Sequence, residues 1–210
     1  MGHFLILLGL SYLLGSIPFG LLVAKIFKAP DPRGLGSGNL GAANLYRLLG
    51  PVAGLLTLLG DTLKGAIPAL LALHQLSPGP WHEAAVALVA AAAVLGHVFP
   101  LYLGFKGGKG VATAVGVLFG FNIWLALAAI ATWLFMAFVV KISSLSAIVA
   151  CVMVPVYAYF IVHPSSPYFG TCIIIAILVI HRHKSNLIKL LTGQEGKIGE
   201  KTAGGSDKQA

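Results

Sequence analysis

Residues 84–103 read AAVALVAAAAVLGHVFPLYL, a run of 20 residues without a charged side chain. A helix of that length crosses the hydrocarbon core of a bilayer, which is roughly 30 Å thick. Comparable runs recur along the chain of 210 residues, which is 58% apolar and only 10% charged. This composition excludes an ordinary soluble domain and predicts an all-α, polytopic integral membrane protein.

About seven transmembrane helices are predicted from these runs. They cover residues 4–26, 48–73, 84–103, 145–162 and 168–180, with two more inside 111–140. The stretch 111–140 is too long for one helix, and we expect a break between Gly120 and Asn122. Pro68 is expected to bend the second segment. Residues 1–199 then form one membrane domain, and the polar tail 200–210 is expected to be disordered.

The distribution of basic residues sets the predicted orientation. Of the 14 Lys and Arg residues, 13 flank the segments on one side, and Lys64 lies within a segment. The loops 74–83 and 163–167, on the opposite side, contain none. The positive-inside rule then places the N-terminus outside and the C-terminus in the cytoplasm. The net charge of +8 therefore reports membrane topology, and no nucleic-acid partner is expected.

A polar, glycine-rich stretch separates the first two segments. This first island, residues 34–47, reads GLGSGNLGAANLYR. Close-spaced glycines expose backbone N–H groups, and arginine binds phosphate oxygens through two parallel hydrogen bonds. The pattern predicts a phosphate site, although an ordinary interfacial turn before a helix would also contain glycines. Its candidate ligands are Gly36, Ser37, Gly38, Asn39, Asn44 and Arg47.

The second island, residues 104–110, reads GFKGGKG and follows the third segment. Its paired glycines and two lysines suit a second phosphate, and they lack the spacing of a nucleotide P-loop. The alternative is a simple cationic anchor at the membrane edge, which would not need paired glycines. The candidate ligands here are Lys106, Gly107, Gly108, Lys109 and, at the start of the next segment, Thr113.

Ionisable residues also occur inside or beside the segments. Asp61 and Lys64 are three residues apart on one helical face, where they either pair structurally or contact substrate. His97, which precedes the second island, is likewise expected either to have a structural role or to contact substrate. His183 and Asn186 are also three apart and can converge on one ligand, with the histidine acting as base or proton donor.

The acidic residues are too few for a metal centre. The chain has six, and they form no cluster with metal-ligand spacing. No histidine is followed five positions later by aspartate, so the common HX4D acyltransferase dyad is absent. We therefore expect neither a metal nor another cofactor.

Five motifs, in this order, resemble the PlsY family of bacterial glycerol-3-phosphate acyltransferases. They are DPRGLGSGNLGAANLYR (31–47), GDTLKG (60–65), GHVFPLYLGFKGGKGVAT (96–113), SSL (143–145) and RHKSN (182–186). The resemblance extends from the first segment to about residue 196. Leu40 departs from the family pattern, in which proline is frequent at that position.

The resemblance implies transfer of a fatty acyl group from acyl phosphate to the 1-hydroxyl of glycerol 3-phosphate. The products are lysophosphatidic acid and phosphate, in bacterial phospholipid synthesis. We also expect a monomer among membrane lipids in the bacterial inner membrane, with the active site facing the cytoplasm. The residues that we expect to have catalytic roles are Ser37, Arg47, Ser144, His183 and Asn186.

Two other functions fit part of the pattern. A transporter for a phosphorylated solute would also place anion-binding loops between membrane segments, but the two halves of the chain show no repeat. A membrane phosphotransferase acting on a nucleotide-linked lipid would need an acidic metal site, and carboxylates are scarce here.

Overall fold

The computed structural model describes residues 1–198, whose regular structure is helical. The predicted tail 200–210 lies outside the described residues. The α-helices are α1 (Gly2–Gly15), α2 (Phe19–Ile26), α3 (Ala42–Leu49), α4 (Pro51–Gln75), α5 (His82–Val98), α6 (Val111–Phe121), α7 (Ile123–Val140), α8 (Ser143–Ile161), α9 (Pro167–Arg182) and α10 (Lys184–Leu191). Two 3₁₀ turns, Pro32–Gly34 and Leu101–Leu103, lie in the polar connections.

The apolar helices confirm the predicted class of all-α integral membrane protein. Within residues 1–198, four helices are long and apolar enough to cross a membrane: α4, α5 with its following turn, α7 and α8. Two bent pairs, α1 with α2 and α9 with α10, raise this number to six. The shorter apolar helix α6 occupies the remaining predicted segment. The count of seven and the orientation of the termini stay predictions.

The first predicted segment, 4–26, is not one continuous helix. It bends by 45° between α1 and α2, at residues 16–18. Pro18 explains the bend, because proline lacks an N–H group and its ring clashes with the preceding turn. The carbonyl that Pro18 leaves without its helical donor is that of Leu14, which accepts instead from the Ile17 N–H at 3.1 Å. The Lys64 Nζ donates to the Ile17 carbonyl at 2.7 Å and so links α4 to the bend.

Two further chain breaks define the bundle. The predicted break before Asn122 is confirmed, because α6 ends at Phe121 and the Asn122 side chain caps α7 by accepting from the Trp124 N–H at 2.8 Å. The predicted start of the second segment at residue 48 falls instead inside α3. Gly50, with φ of +91°, separates α3 from α4 in a conformation that favours glycine.

Small residues let the helices pack at close range. A β-carbon on Gly116 of α6 would collide with the Thr62 carbonyl of α4. Another on Gly15 of α1 would collide with the Ala93 carbonyl of α5. Small residues at such contacts are the usual means of packing helices in membranes, where the hydrophobic effect does not drive helices together.

The polar connections meet at one end of the bundle. Lys109 of the second island donates to Asn186 of α10, and the Ile198 N–H donates to the Lys141 carbonyl. At the opposite end, the Ser166 hydroxyl donates to the Glu83 carboxylate at 2.8 Å. The loops that carry the positive charge therefore share one face, as the charge pattern predicts.

Candidate active site

The side chain of Asn44 organises the first island. Its buried amide nitrogen donates to the carbonyls of Asn39 at 2.9 Å, Leu35 at 3.3 Å and Pro32 at 3.4 Å. Its amide oxygen accepts from the Ser37 N–H at 3.0 Å. Asn44, predicted as a phosphate ligand, therefore has a scaffold role in this structure.

Other residues of the first island divide into turn formers and candidate ligands. Gly36 and Gly38 have φ of +57° and +70°, which suits glycine. The Asn39 side chain accepts from the Gly41 N–H at 3.0 Å, just before α3 begins. Ser37 is exposed at the end of this loop, and Arg47 is half-buried on α3.

The second island is folded back onto the end of α5. The Gly107 N–H donates to the Val98 carbonyl at 3.2 Å, and the Gly108 N–H donates to the His97 carbonyl at 3.1 Å. Both N–H groups therefore already have acceptors in this structure, and the assignment of Gly107 and Gly108 as phosphate ligands stays a prediction. Lys106 and Lys109, which flank the glycines, are the groups that the island offers to an anion.

Arg182 holds the second island from the other side. Its guanidinium donates to the Gly107 carbonyl at 2.8 Å and to the Gly108 carbonyl at 3.2 Å. Arg182 belongs to one of the five family motifs but is not among the predicted site residues. Its partners lie more than seventy positions away along the chain, so no pattern in the neighbouring sequence predicts this contact.

Glu195 joins three of the predicted site residues. Its Oε1 accepts from the Ser144 hydroxyl at 2.6 Å and from the Asn186 amide at 2.7 Å. The oxygen of that amide accepts from Lys109 Nζ at 2.6 Å. Sequence reasoning missed Glu195, although it is the single acid in the basic stretch 182–198.

Electrostatic effects show that both islands meet the C-terminal segment here. Burial lowers the pKa of Lys109 to about 8, and the nearby charge of Glu195 opposes that shift. The positive charges of Arg47, Lys189 and Arg182 lower the same pKa further. Cations from both islands and from α9 and α10 thus act on one ammonium group, and an anionic substrate would relieve their repulsion.

His183 lies at the 58° bend between α9 and α10 and is buried. Its Nδ1 is 2.8 Å from the Val179 carbonyl. Because a carbonyl only accepts, Nδ1 carries the proton, and Nε2 of the neutral ring is an acceptor. Burial lowers the pKa of His183 to about 4, so the imidazole is neutral at pH 7.

A cavity of about 260 Å³ opens between the two islands. It is lined by Arg33, Gly38, Leu40, Phe105, Lys106, Gly107 and Arg182. Three of these residues are predicted ligands, and the two arginines are additions from the structure. Arg33 is paired with Asp31, at 2.6 Å between Nη2 and Oδ2. A concave site with several cationic groups suits a small phosphorylated molecule.

The remaining candidates lie deeper in the bundle. Asp61, Lys64 and His97 form a buried group beneath the second island, and the Thr113 side chain is also buried. The Thr113 hydroxyl has no hydrogen-bond partner among the described residues. Within residues 1–198, no three His, Cys, Asp or Glu side chains converge as metal ligands do.

A helical membrane bundle with a cationic, glycine-rich face suits an integral membrane protein that binds phosphorylated molecules. The chain matches the sequence profile of the glycerol-3-phosphate acyltransferase family over residues 5–193. It therefore belongs to the glycerol-3-phosphate acyltransferase family, which confirms the resemblance in its sequence.

Individual relatives are similar over nearly the whole chain. A glycerol-3-phosphate acyltransferase of Chromobacterium violaceum is 62% identical over 194 residues, which are 91% of this chain and 93% of the relative. One of Thiobacillus denitrificans is 46% identical, over 94% of this chain and 98% of the relative. The crystal structure of PlsY, an integral membrane glycerol 3-phosphate acyltransferase, in its glycerol 3-phosphate form has a TM-score of 0.87 at 40% identity. That match covers 94% of this chain and 96% of PlsY, and the lysophosphatidic acid form gives a TM-score of 0.85.

Proposed function

We propose that this enzyme transfers a fatty acyl group from acyl phosphate to the 1-hydroxyl of glycerol 3-phosphate. The products are lysophosphatidic acid and inorganic phosphate. The observation that carries the proposal is the convergence of Arg47, Lys109 and Arg182 with His183 and Asn186 at one face of a membrane bundle. Both substrates carry phosphate, and such a cationic face can bind two phosphate groups.

The proposed step needs no protein nucleophile. The glycerol hydroxyl attacks the acyl carbonyl carbon, the new ester C–O bond forms, and the bond to the phosphate oxygen breaks. Phosphate leaves with the electron pair of that bond, which is the chemistry of a mixed anhydride. Arg47, Lys106 and Lys109 would neutralise the charge on the phosphates, and such fixed positive charge lowers the barrier to acyl transfer.

The proton of the glycerol hydroxyl goes to a phosphate oxygen of a substrate. A phosphate monoester has a second pKa of about 6, so near pH 7 it accepts a proton more readily than His183 does. The neutral His183 ring would instead accept a hydrogen bond at Nε2 and orient the hydroxyl. Ser37, Ser144 and Asn186 would hold the reacting groups in position, with Glu195 fixing the last two.

The surroundings of the site support the rest of the proposal. The candidate site residues converge within one chain, which supports a monomer as the active unit. Apolar helices face the lipid, from which the acyl chain would enter. The positive charge of the site-bearing loops supports a cytoplasmic orientation of this face, at the inner membrane of a bacterium.

The test is a donor assay on the purified protein in lipid or detergent. Radiolabelled glycerol 3-phosphate is incubated with palmitoyl phosphate or with palmitoyl-CoA, each with and without EDTA. We expect labelled lysophosphatidic acid from palmitoyl phosphate alone, and an EDTA-insensitive rate. Product from palmitoyl-CoA instead would refute the proposed donor. Uptake of glycerol 3-phosphate into proteoliposomes without acylation would favour a transporter.

A further inference from the structure

We propose that Asp61, Lys64 and His97 form a positioning triad, which fixes the second island from beneath and does not contact substrate. The sequence leaves open whether these residues pair structurally or meet substrate. Their contacts in the structure link them to the backbone of the island. Only the kinetic part of the proposal rests on the proposed function.

The ion pair at the base of the triad is buried in the bundle. Lys64 Nζ lies 2.8 Å from Asp61 Oδ1, and the two side chains are 2% and 4% exposed. Lys64 also donates to the Ile17 carbonyl at the bend between α1 and α2. Burying two charges costs free energy, and an apolar contact between the helices would avoid that cost. We therefore ask which part of the structure this ion pair supports.

His97 connects this ion pair to the second island. Its Nδ1 is 3.5 Å from Asp61 Oδ1, and the residue is 7% exposed in the last turn of α5. Its carbonyl accepts from the Gly108 N–H. A β-carbon on Gly108 would collide with Nε2 of the His97 ring. The island backbone thus rests directly on an imidazole whose other side faces the Asp61 carboxylate.

The island is held between two supports. Arg182 binds the carbonyls of Gly107 and Gly108 from above, while His97 packs against Gly108 from below. Lys106 and Lys109 are the immediate neighbours of this glycine pair along the chain. A change in the orientation of the His97 ring would therefore displace both lysines. Displacements of about 1 Å in a reacting geometry can cost about 100-fold in rate.

The experiment compares His97→Phe and the double variant Asp61→Asn/Lys64→Met with the wild type. The first keeps a ring of similar size without the contact to Asp61. The second removes both charges together, so that neither remains buried alone. Glu83→Gln is the matched control, because that carboxylate lies at the opposite end of the bundle, where it accepts from Ser166. Each protein is checked for folding by its melting temperature in the same detergent.

The first readout is amide hydrogen exchange of residues 104–110 without substrate. We expect faster exchange at Gly107 and Gly108 in both variants and no change in the control. The second readout is steady-state kinetics of the folded fraction. There we expect a KM for at least one phosphorylated substrate raised about 10- to 100-fold, as for a misplaced binding group.

A purely structural role would lower the melting temperature yet leave both readouts of the folded protein at wild-type values. That result in either variant overturns the proposal. If one variant fails to fold, the two readouts of the other variant still test the proposal. If the wild type shows no acyl transfer, the proposed function fails, and the exchange measurement still tests the triad by itself.

Discussion

The two islands are both short and rich in glycine, yet they are held in different ways. The first is held from within, since the Asn44 side chain binds backbone groups of residues that precede it by five to twelve positions. The second is held from outside, by Arg182 of α9 and His97 of α5. The first island therefore takes its side-chain support from within, whereas the second also depends on Arg182, more than seventy positions away along the chain.

Glycine also serves different needs in the two islands. Gly36 and Gly38 supply left-handed backbone conformations, with φ of +57° and +70°. Gly107 and Gly108 instead allow close approach, because a β-carbon on either would run into α5 residues or the Pro100 ring. Similar composition thus reflects a turn requirement in one island and a packing requirement in the other.

The largest effect is expected from breaking the internal support of the first island. Asn44→Ala leaves the part-buried Ser37 N–H and Asn39 carbonyl without their side-chain partner, and an unpaired buried group costs about 1–3 kcal/mol. We expect at least about a 100-fold loss of acyl transfer, equivalent to ~2.7 kcal/mol. Asn44→Asp, which keeps only the acceptor for the Ser37 N–H, should fall between alanine and wild type. Activities of these two variants that match the wild type would contradict the scaffold role.

A smaller loss is expected from the second island when its close contact is removed. Gly108→Ala forces the backbone away from His97 and should raise the KM for a phosphorylated substrate by about 10- to 100-fold. Gly34→Ala in the first island is the matched control, because a β-carbon there meets nothing within 4 Å. Steady-state kinetics of the two variants tests the contrast. Equal KM values would mean that close packing of the second island does not matter for binding.

The smallest predicted effect is a dependence on pH through Lys109. Its pKa is lowered to about 8, so the ammonium is charged below that pH and loses its proton above it. Phosphate monoesters, with a second pKa of about 6, remain dianionic throughout this range. We expect KM to rise by up to about tenfold between pH 8 and 9, in step with the lost charge.

Lys109→Arg gives the control for this titration. Arginine keeps its charge, since its pKa exceeds 12, and the rise in KM above pH 8 should disappear. Kinetics at constant ionic strength provides the measurement. A rise that persists unchanged in the arginine variant would assign the titration to another group.

The sequence predicts those features that depend on neighbouring residues. Apolar runs give the helices, Asn122 gives the break before α7, and the basic loops share one face. The bend at Pro18 also has a local cause, but the continuous apolar run over residues 4–26 predicts a single straight segment. By contrast, Glu195 meets Ser144 across 51 positions, and Arg182 meets Gly107 across 75. Such contacts follow from helix packing, which leaves no periodic trace in the sequence.

The position of Glu195 has a consequence for how the enzyme is made. A ribosome releases the chain from its N-terminus, and α1 to α10 precede Glu195 in that order. A chain stopped after α10 would have its helices and both islands, but Ser144 and Asn186 would lack their shared carboxylate. The last part of the described chain therefore completes the site, and activity begins only after Glu195 has been synthesised.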